Sequence, residues 1–534
     1  MVKFCLVVTA VLTSVLQTSL PAQTITSAQN PASNILTGLP NYGIAQGSIF
    51  VLYGAGLGPA AISVAPSLPF LTALAGTSIS VTSGGTVYSP FMIYTLTNQI
   101  AAVMPSSVPA GAATVQVTYN GATGAAFATT IVPSAFGIST LNTTGGAGAV
   151  LTYPTATAPF YAVVSKADSV KPGSTYTMWG TGLGAANKDN DLATNGDLGT
   201  PVQVWVGGLP AVVSYRGRSG APGLDQINFT IPAGVTGCGV SLIVQTRNIV
   251  SNNTTIPVAA GGGACSDPMT PSNAGIAPAL AKGSVVFGVV SLRQNLRPGS
   301  GQPPTVVASN SGAATFLRYT ASAYSLLNPG TTPSNGSCTT QILNGTSAAN
   351  AIGLDAGTAI SVGQPDGTTT KLTVPFALLK GSYSGTPTSL APGAYALSGT
   401  GGADAGGFSA TLAVPAPLVW LNQTALAAAP IIRSQPVTVT WSGGDPNSYA
   451  TITGTTLLGS SLSLTSTQVF FSCTAPISAG QFTVPASVLL ALPPSPAGNL
   501  SVGSATNPVA FSATGVDVGY AAASSTFAAT VSYQ

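Results

Sequence analysis

Apolar and polar residues alternate singly along much of the chain, in short runs broken by turn residues. In "IFVLYG", Ile49, Val51 and Tyr53 alternate with Phe50, Leu52 and Gly54. "TSISVTSGG", "YSPFMIYT", "QIAAVMP", "ATVQVTYNG" and "AAFATTIVP" continue in the same style. Period-two patterning bounded by Gly, Pro and Asn predicts half-buried strands. Asn120-Gly121 in "VTYNG" and Asp366-Gly367 in "QPDGTTT" predict hairpin turns.

The pattern is written twice. "GSIFVLYGAGLGP" begins at Gly47 and "GSTYTMWGTGLGA" at Gly173, an offset of 126 (173 less 47). "QIAAVMPSSVPAG" begins at Gln99 and "QINFTIPAGV" at Gln226, an offset of 127 (226 less 99). Two separate blocks at nearly one offset imply a duplicated domain. A period this long means domains in series, not a solenoid of roughly 20 to 50 residues per repeat. About seven strands per copy match an immunoglobulin-like sandwich. Tyr53 aligns with Trp179, which predicts one core position shared by both sandwiches.

From residue 261 the text is rich in Gly, Pro and Ser, as a linker is. Further period-two runs come after it, such as "GSVVFGVVSL", "GFSATLAVPAPLVW", "VTVTWSGG" and "TQVFFSCTAP". The expected fold is all-β, four β units in series: sandwiches over 35–137 and 138–260, a linker over 261–277, and β units over 278–415 and 416–534.

Each glycine stretch invites a phosphate-loop reading. Such a loop needs a strand, glycines, and then a helix whose first amides hold the anion. Here the glycines lead into "PAAISVAPSLPF" and "AANKDNDLATNGD", without helical periodicity or the expected lysine. Glycine at a sandwich corner, for positive φ or close backbone approach, accounts for the motif better.

Together with "VWVGGLPAVVSYRG", "GLDQINFTIPAGV" and "IVSNNTTIPVA", the glycine motif resembles a family of secreted bacterial β-repeat domains. That family has no established activity, is frequent in exported acidobacterial proteins, and is similar to IPT/TIG immunoglobulin-like modules. The resemblance covers about residues 35–260 as two copies. The first copy departs from it, with Ala101 where the second has Asn228. It implies a fold and an exported location, and carries no catalytic residues.

Composition narrows the chemistry. Only 5% of the 534 residues are charged, and the net charge is +3. No basic tract tracks a phosphate backbone, so nucleic acid is not an expected partner. The sparse cations, such as Arg216 and Arg218 or Arg293 and Arg297, read as solvated loop charges. There is no His or Glu, and the eleven acids are all Asp. That removes Ser-His-Asp and Cys-His catalysis, HExxH metalloproteases and the EF-hand. Two Asp carboxylates could still form a pair for polysaccharide hydrolysis, and Asp355, Asp366, Asp404 and Asp445 are the only acids between residues 270 and 500. Two of these, Asp366 and Asp445, sit in turn-like text.

The segment "MVKFCLVVTAVLTSVLQTSLPAQ" reads as a secretory signal over 1–22, with cleavage after Ala22. Its apolar run is short of the roughly 20 residues of a membrane span. Beyond it lie Cys238, Cys265, Cys338 and Cys473, which allow three disulfide pairings. Closeness in sequence favours Cys238 with Cys265, leaving Cys338 with Cys473. A zinc site lacks both C-x-x-C spacing and His.

Two loops are the candidate sites. Asn187, Asp189, Asp191 and Asp197 supply oxygen ligands suited to calcium, although the spacing is not that of an EF-hand. Trp441 precedes a loop with Asp445, Asn447 and Tyr449, a candidate ligand contact. Trp179, Trp205 and Trp420 are expected in the core. The function expected is that of an exported non-enzymatic protein for surface interaction or structural display. Its partner would be an unknown protein or a glycan. A glycan-binding module protein is the alternative, and a hydrolase is third.

Overall fold

The computed structural model describes residues 23–141, 148–157, 161–192, 196–267, 276–298, 306–326, 333–343, 351–375, 380–458 and 467–534. The expected signal segment 1–22 lies outside the described residues, as does part of the linker. The fold is all-β. The helices among the described residues are short, such as Ile276–Ala281 and Gln423–Ala428.

The first copy is a two-sheet sandwich. One sheet is ordered Thr24–Gln29, Ile49–Ala55, Gln99–Val103, Phe91–Leu96, Ser63–Val64. The other runs through Ile44–Ala45, Phe127–Val132, Gly111–Tyr119, Thr77–Ser83 and Ala73–Leu74. Phe50 and Leu52 meet Ile79, Val81, Val115 and Val117 between them. Alternation decides which side chains enter this core, because successive residues of a strand face opposite ways. Asn120 and Gly121, at φ 50° and 82°, turn Gly111–Tyr119 into Ala122–Thr123.

In the second copy the layers are joined. Leu209–Arg218 pairs with Val202–Val206 near its start and with Asp225–Thr230 along its length. A register shift between Val213 and Tyr215 marks a bulge there. Tyr176, Met178, Ile227, Phe229, Val204 and Leu242 fill the core.

Tyr53 and Trp179 occupy equivalent places, opposite Gln99 and Gln226. They are not core residues, which corrects the expectation. The inward positions belong to Phe50 and Leu52 in one copy and Tyr176 and Met178 in the other. Tyr53 and Trp179 have the opposite parity, and both lie half-buried on outer faces.

The C-terminal half is knit by one fourteen-stranded sheet. Two 15-residue strands, Ser284–Pro298 and Val306–Thr320, pair antiparallel throughout. The 16-residue strand Val518–Tyr533 lies parallel to the first of them and antiparallel to Ser495–Ala505. At roughly 3.3 Å per residue it spans about 50 Å. Ala521 and Ala523 enter one hydrophobic core, whereas Phe527, Val531 and Tyr533 enter another. Cys338–Leu343, from the segment before residue 415, pairs with Gln468–Pro476 from beyond it. The sheet therefore runs across the division expected at 415/416, and the two C-terminal units share their hydrogen bonding instead of standing separately in series. Cys338 stands opposite Cys473 and is bonded to it, and Cys238 is bonded to Cys265.

Deleting residues 518–534 takes a strand from both cores. The expected outcome is loss of protease resistance across 284–511, with the fragment over 23–260 still protected. Limited proteolysis with peptide mapping checks this, and loss confined to residues 416–511 would contradict it.

Candidate functional site

The glycine turns show why the repeated motif needs its glycines. An added Cβ on Gly54 would lie 1.9 Å from the Thr24 carbonyl oxygen, and one on Gly180 would lie 2.1 Å from that of Gly137. The neighbouring strand passes too close for any side chain. Gly182, at φ 111°, faces the Ala135 carbonyl in the same way. No anion site is needed to account for these residues.

The two turns dispose of their backbone amides differently. In the first copy, Gly54 N–H donates to the Asn98 carbonyl (3.1 Å) and Leu57 N–H to that of Thr97 (2.8 Å). In the second, Gly182 and Leu183 N–H donate to one carboxylate oxygen of Asp225, at 2.7 and 2.8 Å. Asp225 is the counterpart of Asn98. Its other oxygen accepts from Nη1 of Arg218 in an ion pair with side-chain exposures of 1% and 0%. Burial pushes the Asp225 carboxyl above its ordinary range, while Arg218 and the two amides pull the other way.

Nη2 of Arg218 continues the network into the first sandwich. It donates to the Gly184 carbonyl at 2.7 Å and to the Gly47 carbonyl at 2.8 Å. Arg218 thus joins the glycine turn of one copy to the start of the same motif in the other. It is not a solvated loop charge, which corrects the expectation drawn from its sparse surroundings. Arg216 is partly exposed and pairs with Asp197 at 3.2 Å.

Further bonds cross the same junction. Ile49 N–H donates to Thr181 Oγ1 (2.9 Å), whose hydroxyl donates to the Gly223 carbonyl (2.6 Å). Gly223, at φ 70°, packs on Ile49 where a Cβ would come within 2.7 Å of its side chain. Asp189 accepts from both the amide and the hydroxyl of Ser106, at 2.7 and 2.6 Å. Phe70 N–H donates to the Asn190 carbonyl at 2.6 Å.

The candidate calcium residues are thereby accounted for differently. Asp189 clamps Ser106 of the first sandwich. Asp191 accepts from Leu192 N–H and faces Lys188 at 3.9 Å. Asp197 accepts from Gly199 N–H and pairs with Arg216. These carboxylates are not brought together, and no group of three or more metal-ligating His, Cys, Asp or Glu residues occurs among the described residues. Asn187 lies in the same loop and adds no fourth member to a cluster that has not formed. Among the described residues these side chains form no site for a calcium ion.

The Trp441 loop is also structural. Trp441 is 3% exposed, and its indole N–H donates to the Ile477 carbonyl at 2.8 Å. Val437, Val439 and Trp441 alternate inward along one strand, so the tryptophan belongs to the core and not to a ligand contact. Asp445 accepts from Asn447 N–H and from the Ser448 hydroxyl, both at 2.9 Å. Tyr449 begins the next strand and is half-buried.

No family model and no curated protein matches the chain. Among solved structures it is similar to SGBP-B of the Bacteroides ovatus mixed-linkage glucan utilization locus, in complex with a mixed-linkage heptasaccharide. Identity there is 11%, over 80% of this chain and 91% of that one, with a TM-score of 0.14. The Escherichia coli adhesin FdeC shares 17% identity over 66% and 88%, with a TM-score of 0.13. The FN1–FN3 domains of chicken CNTN1 share 10% over 68% and 96%, with a TM-score of 0.13. Superpositions this loose carry no argument about function.

Arg218→Met strips the counterion from a buried carboxylate and is expected to destabilise the protein by about 3–5 kcal/mol. Adding Asp225→Asn keeps an acceptor for the Gly182 and Leu183 amides and removes the stranded charge. The double variant should therefore recover part of the loss. Urea unfolding of the two variants measures both effects.

Proposed function

We propose that the chain is an exported, non-enzymatic, multi-domain β protein acting in cell-surface or extracellular interaction or structural display. One observation carries this reading. All eleven carboxylates serve the fold through a hydrogen bond or ion pair. Asp168 accepts from Tyr153, Asp267 from Ser334 and Asp517 from the Val286 amide. Asp404 binds the Asp355 amide and Lys380, and Asp366 closes its own hairpin turn through Thr368.

General acid–base chemistry near neutral pH needs a group with a tunable pKa aimed at substrate. With His and Glu missing from the sequence, Asp is the main candidate, and these are engaged elsewhere. Two disulfides support an oxidising, extracytoplasmic location. No helix among the described residues is long and apolar enough to cross a membrane.

Incubating the protein with a panel of polysaccharides, esters and peptides is expected to release no product. Product formation abolished by a single Asp→Asn change, in a variant whose circular dichroism is unaltered, would replace this reading with a hydrolytic one.

A further inference from the structure

The outer faces of the sandwiches carry one constellation twice. In the first, Tyr53 stands opposite Gln99, and Tyr94 stands opposite Ala101 on the next strand. In the second, Trp179 stands opposite Gln226, and Tyr215 opposite Asn228. The partners Gln99 and Ala101 lie 127 residues before Gln226 and Asn228, so the places are equivalent. Both trios are half-buried, and both face away from the cores filled by Phe50 and Leu52 or by Met178 and Phe229. Other outer positions have changed freely between the copies. Val51 corresponds to Thr177, Ala101 to Asn228 and Val103 to Thr230. An aromatic, a glutamine and a second aromatic persist while their neighbours turn from apolar to polar.

The two faces differ in access. On the first, Val51, Ala101 and Val103 are buried, and Gly223 of the second sandwich packs on Ile49 and Val103. On the second, the counterparts Thr177, Asn228 and Thr230 are half-buried and not fully covered. Thr175 is exposed, and Val212 is 72% exposed. The indole is held in place, with Trp179 Nε1 donating to Thr152 Oγ1 at 2.9 Å. The Tyr215 hydroxyl donates to the Arg218 carbonyl at 2.9 Å. Thr177 donates to the Asn228 side-chain oxygen at 3.0 Å, which leaves the Asn228 amide nitrogen its donors. Gln226 makes no side-chain hydrogen bond to the described residues.

The chemistry of this face selects its ligand. Thr177, Gln226 and Asn228 lie beside the two rings and are uncharged, and the partly exposed charges near Tyr215, Asp197 and Arg216, are paired with each other. Nucleic acids and anionic polymers require cations, which these positions do not supply. Fixed aromatic rings offer apolar area at little entropic cost, and amides and hydroxyls offer paired donors and acceptors. Sugar rings present this same combination of C–H faces and vicinal hydroxyls. Trp179 and Tyr215 stand on strands two spacings apart, roughly 10 Å across the sheet face. That span suits a run of sugar residues over a single one.

We infer that the outer sheet face around Trp179, Gln226 and Tyr215 is a binding platform for a neutral polysaccharide. The inference rests on the non-enzymatic reading above and names its ligand class.

The test is affinity gel electrophoresis of the full protein with galactomannan, xyloglucan and hydroxyethyl cellulose, with polygalacturonate as the anionic probe. Retardation by at least one neutral polymer is expected, and it should persist in 0.3 M salt. Trp179→Ala should weaken it at least about tenfold. Gln226→Ala, a surface change with no internal bond to break, should weaken it without altering thermal unfolding. Four results overturn the inference. No neutral polymer binds. Binding is unchanged in both variants. Only polygalacturonate binds, and salt abolishes it. Trp179→Ala converts a dimer to a monomer in sedimentation, which would make the face a contact between copies. None of these results bears on whether product is released, so failure here is separable from failure of the non-enzymatic reading.

Discussion

The geometry of the N-terminal half depends on the buried pair of Arg218 and Asp225. Two opposite charges have left water completely, at a cost that Coulomb attraction alone does not reliably offset. The surrounding bonds make the arrangement tenable. The carboxylate accepts from two backbone amides as well as the guanidinium, and the guanidinium donates to two carbonyls in different sandwiches. Four groups from two domains must be in place together for the carboxylate and Nη2 of the guanidinium to be paired. A loose junction would leave a charge buried and unmatched. The ion pair therefore contributes more to a fixed relation between the sandwiches than to gross stability.

Duplication explains how such a device arises. In the first copy, the turn amides are met by carbonyls of Thr97 and Asn98, a backbone solution that needs no special side chain. The second copy replaces one of these residues with Asp225 and uses its carboxylate for the same task. The added charge then recruits Arg218, which reaches back to Gly47. The residue that makes the copies differ is also the residue that joins them.

Much of the fold is legible in the sequence, because period-two alternation and the matched offsets are local signals. The role of the glycines is legible as well, since neither glycine stretch leads into a helical pattern. Alternation could also have placed Trp441: it is in step with Val437 and Val439, and its nearness to a loop is misleading. For Tyr53 and Trp179, matching places in two repeats suggest a shared core position, but their parity against Phe50 and Met178 says otherwise. Arg218 could not be placed from its neighbours, because a charge in a hairpin reads as solvated unless its partner is known. The one available signal is the Asp225 that the first copy lacks. The calcium reading fails for a related reason, as nearness of Asp189, Asp191 and Asp197 in sequence says nothing about where each carboxylate points.

The parallel pairing of Ser284–Pro298 with Val518–Tyr533 has a consequence for biogenesis. A chain crossing a membrane or leaving a ribosome emerges from its N-terminus. The two sandwiches, whose strands all lie before residue 260, can form their strand pairings early in that passage. The long pair of Ser284–Pro298 and Val306–Thr320 cannot, because one edge of it waits for a strand more than two hundred residues after Ser284–Pro298. Pairing over such a separation is slow, and in the interval that edge has no partner. Its polar side chains, including Ser291, Arg293, Gln294 and Asn295, would keep the waiting strand less prone to stick to another chain.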